Sequence, residues 1–90
     1  MAHAISGELS FKNAVAALDA ARDALGRSQG AFEVDLGGVT RSDSAGLALL
    51  LELAREARAA GRELRCTRVP EQLSRLAGFF GVTEVLSLSA

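Results

Sequence analysis

Asp43 and Ser44 set a carboxylate and a hydroxyl side by side, just ahead of a leucine-rich run that begins at Leu47. Either side chain can accept hydrogen bonds from the open backbone amides of a helix start. A hydroxyl in that place can also take a phosphate, whose charge would remodel any surface around it.

Other chemistry finds little support. Residues 42–46 (SDSAG) loosely resemble the strand-to-helix serine of hydrolases, but the first glycine of that motif is missing and the sole histidine is His3. Without a general base a serine hydroxyl is a poor nucleophile, so no enzyme activity is expected. No Gly-rich loop with Lys-Ser/Thr, no Gly-x-Gly-x-x-Gly after a strand and no His or Cys pair at metal spacing occurs, so no nucleotide cofactor or metal is expected. Cys66 is the one cysteine, set in an alternating run, and reads as a small core hydrophobe in a reducing compartment. Ten basic residues balance eleven acidic ones, and the arginines are spread along the chain, which argues against nucleic acid as a partner. No basic segment followed by an apolar one opens the chain, and no apolar run reaches the roughly 20 residues that span a bilayer. A cytoplasmic protein is expected, reaching a membrane only peripherally and through a partner. His3 is expected to be solvent-exposed.

The elements that must carry Asp43 and Ser44 alternate in type. Ninety residues, 49% apolar and 23% charged, are enough for one ordinary soluble domain over residues 1–90. Residues 4–9 read as a short strand with Gly7 at its bend. Phe11, Val15, Leu18, Ala21, Ala24 and Leu25 recur at helical steps between a capping Ser10 and a terminating Gly26. A strand over 31–36 leads into a loop over 37–43, and the central helix runs from about Ser44 to Ala60, stopped by Gly61. Residues 63–69 alternate as a strand. Pro70 opens a further helix with Leu73, Leu76, Ala77 and Phe80 on its apolar stripe, and 85–88 fit a last short strand. Such alternation favours an α/β fold with a largely parallel sheet of about four strands covered by about three helices. Functional loops then gather at the carboxyl ends of the strands, where the 37–43 loop emerges.

On the central helix, a step of about 100° per residue puts Leu47, Leu50, Leu51, Ala54 and Ala57 on the core stripe. The opposite face reads Ala45, Ala48, Leu49, Glu52 and Glu56. Its first two turns carry no charge, and they stand beside the hydroxyl and carboxylate of the loop. Two readings fit. Asp43 and Ser44 are simple caps beside a scattered surface leucine, or Thr40, Arg41, Ser42, Asp43, Ser44, Ala45, Ala48, Leu49 and Glu52 form a surface for docking a protein partner.

Residues 34–51 (VDLGGVTRSDSAGLALLL) resemble the signature of the STAS domain, shared by sulfate transporters and anti-sigma factor antagonists. Its core is Asp, then Ser or Thr, then a small residue, then Gly-Leu. The resemblance extends over nearly the whole chain. Residues 5–9 (ISGEL), 46–51 (GLALLL) and 69–73 (VPEQL), with Leu76-Ala77 and Phe80-Gly81-Val82, look most like the MlaB-type branch, the small cytoplasmic STAS subunits of phospholipid ABC transporters. That resemblance implies a non-catalytic subunit that binds and supports the transporter's ATPase, in a system that maintains outer-membrane lipid asymmetry. It also implies that Ser44 is the regulatory position. The neighbouring branch implies an alternative, an anti-sigma factor antagonist whose Ser44 is phosphorylated by a kinase-type anti-sigma factor. Family members usually carry one more strand ahead of ISGEL, so the resemblance implies either a shorter sheet or a first strand lost from this chain.

Overall fold

The computed structural model describes residues 2–84 and 86. In order, its elements are β1 (His3–Leu9), α1 (Ala14–Gly26), β2 (Phe32–Ser42), α2 (Ser44–Ala59), β3 (Leu64–Thr67) and α3 (Glu71–Phe79). The strands form one sheet in the order β1-β2-β3, and both pairings are parallel. The expected α/β class and three helices are present. Three strands are described, and the strand expected over 85–88 falls outside the described residues except for Leu86, which lies in a turn and is fully buried.

Alternation along the strands decides where the helices go. Ile5 and Leu9, Phe32, Val34 and Leu36, and Leu64 and Cys66 are buried, whereas Ala4, Ser6, Glu33 and Arg65 between them are exposed. One face of the sheet therefore carries the helical layer and the other is open. α2 is the middle helix, packed on β2 and β3 below with α1 and α3 at its flanks.

That central position corrects the face assigned to α2. Leu49 is only 3% exposed and Leu53 is fully buried, while Leu51 is half-buried. A helix covered on three sides needs a wider apolar arc than one stripe, and α2 supplies it with Leu47, Leu49, Leu50, Leu53 and Ala57.

The segment expected as a loop over 37–43 is also corrected. β2 continues through Gly37 and Gly38 to Ser42, because β1 keeps pairing with it across two register shifts. His3 stands opposite Val34 and Leu9 opposite Ser42, so β2 carries two residues more than β1 over this stretch. Each extra residue is a bulge, a local widening that preserves the ladder beyond it. Gly7 sits inside β1 at the second shift rather than at a bend out of the strand.

Smaller corrections concern element ends. α1 begins at Ala14, not Phe11, because Ser10 N–H and Oγ both donate to Asn13 Oδ1 (3.0 and 2.7 Å) and close a turn first. Phe11 and Val15 are 86% and 70% exposed, outside the core stripe expected for them. Pro70 precedes the first turn of α3, with extended backbone, rather than forming part of it. Phe80 is 57% exposed, so Leu73 and Ala77 carry the buried face of α3 instead. His3 is the first residue of β1, half-buried, with its ring stacked 6.0 Å from that of Phe32. Arg62 ties the end of α1 down: it donates to the carbonyls of Leu25 and Gly30 and to Ser28 Oγ, and lies over the Phe32 ring.

Candidate functional site: the exposed start of helix α2

Ser42, Asp43 and Ser44 sit where β2 hands over to α2, at the carboxyl end of the sheet. Asp43 is the cap: its backbone is extended, and Oδ1 accepts the Ala45 N–H at 2.8 Å. Its other oxygen accepts the Phe11 N–H at 3.4 Å, and its own N–H donates to the Leu9 carbonyl at 3.3 Å. One residue thus joins the end of β1 through its N–H, and the approach to α1 and the start of α2 through its carboxylate.

With Asp43 capping, the hydroxyl of Ser44 is released from that duty. Ser44 is the first residue of α2 and is exposed, at the end of the helix where backbone N–H groups concentrate positive potential. His3 lies at the opposite end of the parallel sheet, so no imidazole serves Ser44 as a base. Among the described residues no group of three or more His, Cys, Asp or Glu could hold a metal.

Ser42 is buried rather than exposed. It is 4% exposed; its N–H donates to Gln72 Oε1 and its hydroxyl to the Asp43 carbonyl, both at 3.3 Å. It stands against Gly46, where a Cβ would meet Ser42 Oγ at 2.4 Å and Leu9 Cγ at 3.1 Å. A glycine is needed there so that α2 can start this close to β1 and β2. Leu49 is the floor of a groove rather than a surface residue, whereas Thr40, Arg41, Asp43, Ser44 and Ala48 are exposed and Ala45 and Glu52 half-buried.

Two grooves meet at Ser44. The first, about 520 Å³, lies between α1 and α2 and is lined by Phe11, Ala14, Val15, Leu18, Ser44, Ala45, Ala48, Leu49 and Glu52. The second lies between α2 and α3, lined by Ser42, Asp43, Ser44, Glu71, Gln72, Arg75, Leu76 and Phe79. The first volume falls in the range of small-ligand sites, about 300–1,000 Å³, yet it offers only one hydroxyl and one carboxylate to orient a ligand. Arg55 donates to Glu52 at 2.7 Å and holds its pKa down to about 2, with Arg22 adding to the effect. The acidic rim is therefore already neutralised by arginine. Cys66 takes no part: burial pushes its thiol up to about 12, the opposite of a reactive cysteine.

The α3 wall is the part that sequence reasoning missed. Phe79 is 84% exposed and meets Phe80 edge-on at 5.3 Å. The signal was present, since at helical spacing Phe79 falls off the stripe of Leu73, Leu76 and Ala77. Phe11 and Val15 were misplaced rather than missed, because α1 starts three residues later than their spacing predicts, which leaves Phe11 ahead of the helix and Val15 exposed in its first turn.

The family model described as "Mlab, STAS domain" matches residues 3–88. The chain belongs to the STAS domain family. Among solved structures, a sulfate transporter family protein from Wolinella succinogenes superposes with a TM-score of 0.74 at 24% identity, over 93% of this chain and 68% of that one. The anti-sigma factor antagonist SpoIIAA in its unphosphorylated form gives 0.66 at 17%, over 84% and 70%. At these identities the likeness is one of fold. No curated protein matches the sequence. Among the described residues, no helix is long and apolar enough to cross a membrane.

Proposed function

We propose that this chain, as a single STAS domain over residues 1–90, is a non-catalytic subunit that docks on the ATPase of a phospholipid ABC transporter. It supports that ATPase in maintaining outer-membrane lipid asymmetry, and it stays cytoplasmic, peripheral to the inner membrane through its partner. The observation that carries the reading is the start of α2, where Ser44 stands between two grooves, Ala45 and Ala48 line the first, and the groove walls expose Phe11, Val15 and Phe79. Large apolar side chains left in water beside small ones, with Glu52 and Glu71 already paired to arginines, suit burial against another protein. Thr40, Arg41, Asp43 and Glu52 form the polar rim, and Ser44 is the regulatory position.

One observation favours a second reading, an anti-sigma factor antagonist. The Ser44 hydroxyl is exposed at a helix start, so a kinase can reach it, and a phosphate there would add charge in the middle of the apolar surface. Affinity purification of the tagged chain from its native cells separates the two. The transporter reading expects the ATPase and its membrane subunits to be recovered, with unmodified Ser44. Recovery of a kinase-type anti-sigma factor with a substantial phosphoserine pool at Ser44 overturns it in favour of the second.

A further inference from the structure

On the open face of the sheet, away from the docking surface, Asp35, Gly37 and Arg68 interlock. Asp35 of β2 stands immediately before the first register shift, opposite Ala4, while Ser6 is already opposite Gly38. A bulge takes a backbone N–H out of the ladder, and such a group must find another acceptor. The Gly37 N–H finds Asp35 Oδ1 at 2.9 Å. The same carboxylate receives a fork from Arg68, with Nε to Oδ1 at 2.9 Å and Nη2 to Oδ2 at 2.7 Å.

Arg68 follows the last residue of β3 and has φ of 51°, the left-handed region that side chains other than glycine rarely adopt. Its guanidinium covers Gly37 so closely that a Cβ there would meet Arg68 Cζ at 2.5 Å. An exposed ion pair by itself adds little stability, and Arg68 is 68% exposed. A two-pronged fork nevertheless fixes direction. What it directs is the turn into α3: Pro70 comes two residues later, and Gln72 in the first turn accepts the Ser42 N–H.

We propose that Arg68, locked onto Asp35 over Gly37, is a positioning residue for the α3 wall of the docking surface, fixing where Gln72, Leu76 and Phe79 stand relative to Ser44. Its bearing on docking rests on the function proposed above, but the latch is a property of the free protein and is tested there. Amide hydrogen exchange and ¹⁵N–¹H spectra would be recorded for the wild type, Arg68→Gly and Arg68→Lys. Glycine relaxes the left-handed backbone and removes the fork; lysine keeps the charge without the fork. Both variants are expected to keep the wild-type circular dichroism, to shift the α3 resonances and to exchange the Ser42 amide at least about tenfold faster. Wild-type protection at Ser42 with unmoved α3 resonances in Arg68→Gly would overturn the proposal, because the side chain would then merely occupy a turn. Wild-type behaviour of Arg68→Lys would equally overturn it, since charge alone would suffice. Neither result touches the docking reading, which is decided by partner recovery.

Discussion

Two adjacent side chains divide the work at the start of α2. Asp43 accepts two backbone N–H groups from different elements, and Ser44 accepts none, which leaves its hydroxyl facing solvent. Asp43→Ala should therefore cost about 0.5–2 kcal/mol, as the loss of a helix cap does. Ser44→Ala should stay within about 0.5 kcal/mol of the wild type, as for other surface changes. Urea denaturation of the two variants checks this, and equal losses would mean that the cap is shared. That one of the two residues caps a helix was legible in the sequence, because both types do so. Which one does was not, since the choice depends on the turn that brings Phe11 within reach of the second carboxylate oxygen.

At the scale of elements, the order of strands and helices was legible from periodicity, and the arc of α2 was not. Spacing along one helix reveals how many sides are apolar but not what covers them, and here α1 lies over the side that holds Leu49. Leu49→Ala should consequently cost about 2–5 kcal/mol, the range for truncating a buried leucine. Leu49→Asp should unfold the domain rather than simply blocking a surface. A melting temperature within a degree of the wild type for Leu49→Ala would contradict the burial. β2 was cut short in the sequence reading because paired glycines followed by polar residues signal a turn, whereas pairing across two bulges carries the strand onward to Ser42. Helix α2 is also expected to respond to acid. The hydrogen-bonded Arg55 guanidinium holds the Glu52 carboxyl down to about 2, well below its ordinary value of about 4.5. Its folded pKa is depressed, so its contribution to stability is present above about pH 4.5 and is lost as the pH falls towards 2. Carboxyl ¹³C titration should show the Glu52 pKa rising towards 4.5 in Arg55→Ala; an unchanged titration would mean that Arg55 is not the cause.

For the whole molecule, the family was legible because its signature runs through the β2–α2 junction, where the proposed docking surface also lies. The partner was not, because a docking surface is written as exposure, and exposure is settled only when α1, α2 and α3 are packed together. Packing moves the apolar emphasis of the site from Leu49 to Phe11, Val15, Ala48 and Phe79, and spreads it over two grooves. Ala48 is exposed on α2 and lines the first groove. The most direct measurement is the affinity of the purified chain for the ATPase subunit of a phospholipid ABC transporter, by calorimetry, for the wild type and Ala48→Glu. A carboxylate buried there would lack a counter-charge, so binding should weaken by about 2 kcal/mol or more, roughly 30-fold in Kd, with the circular dichroism and melting temperature unchanged. Wild-type affinity in Ala48→Glu would show that the start of α2 is not the interface.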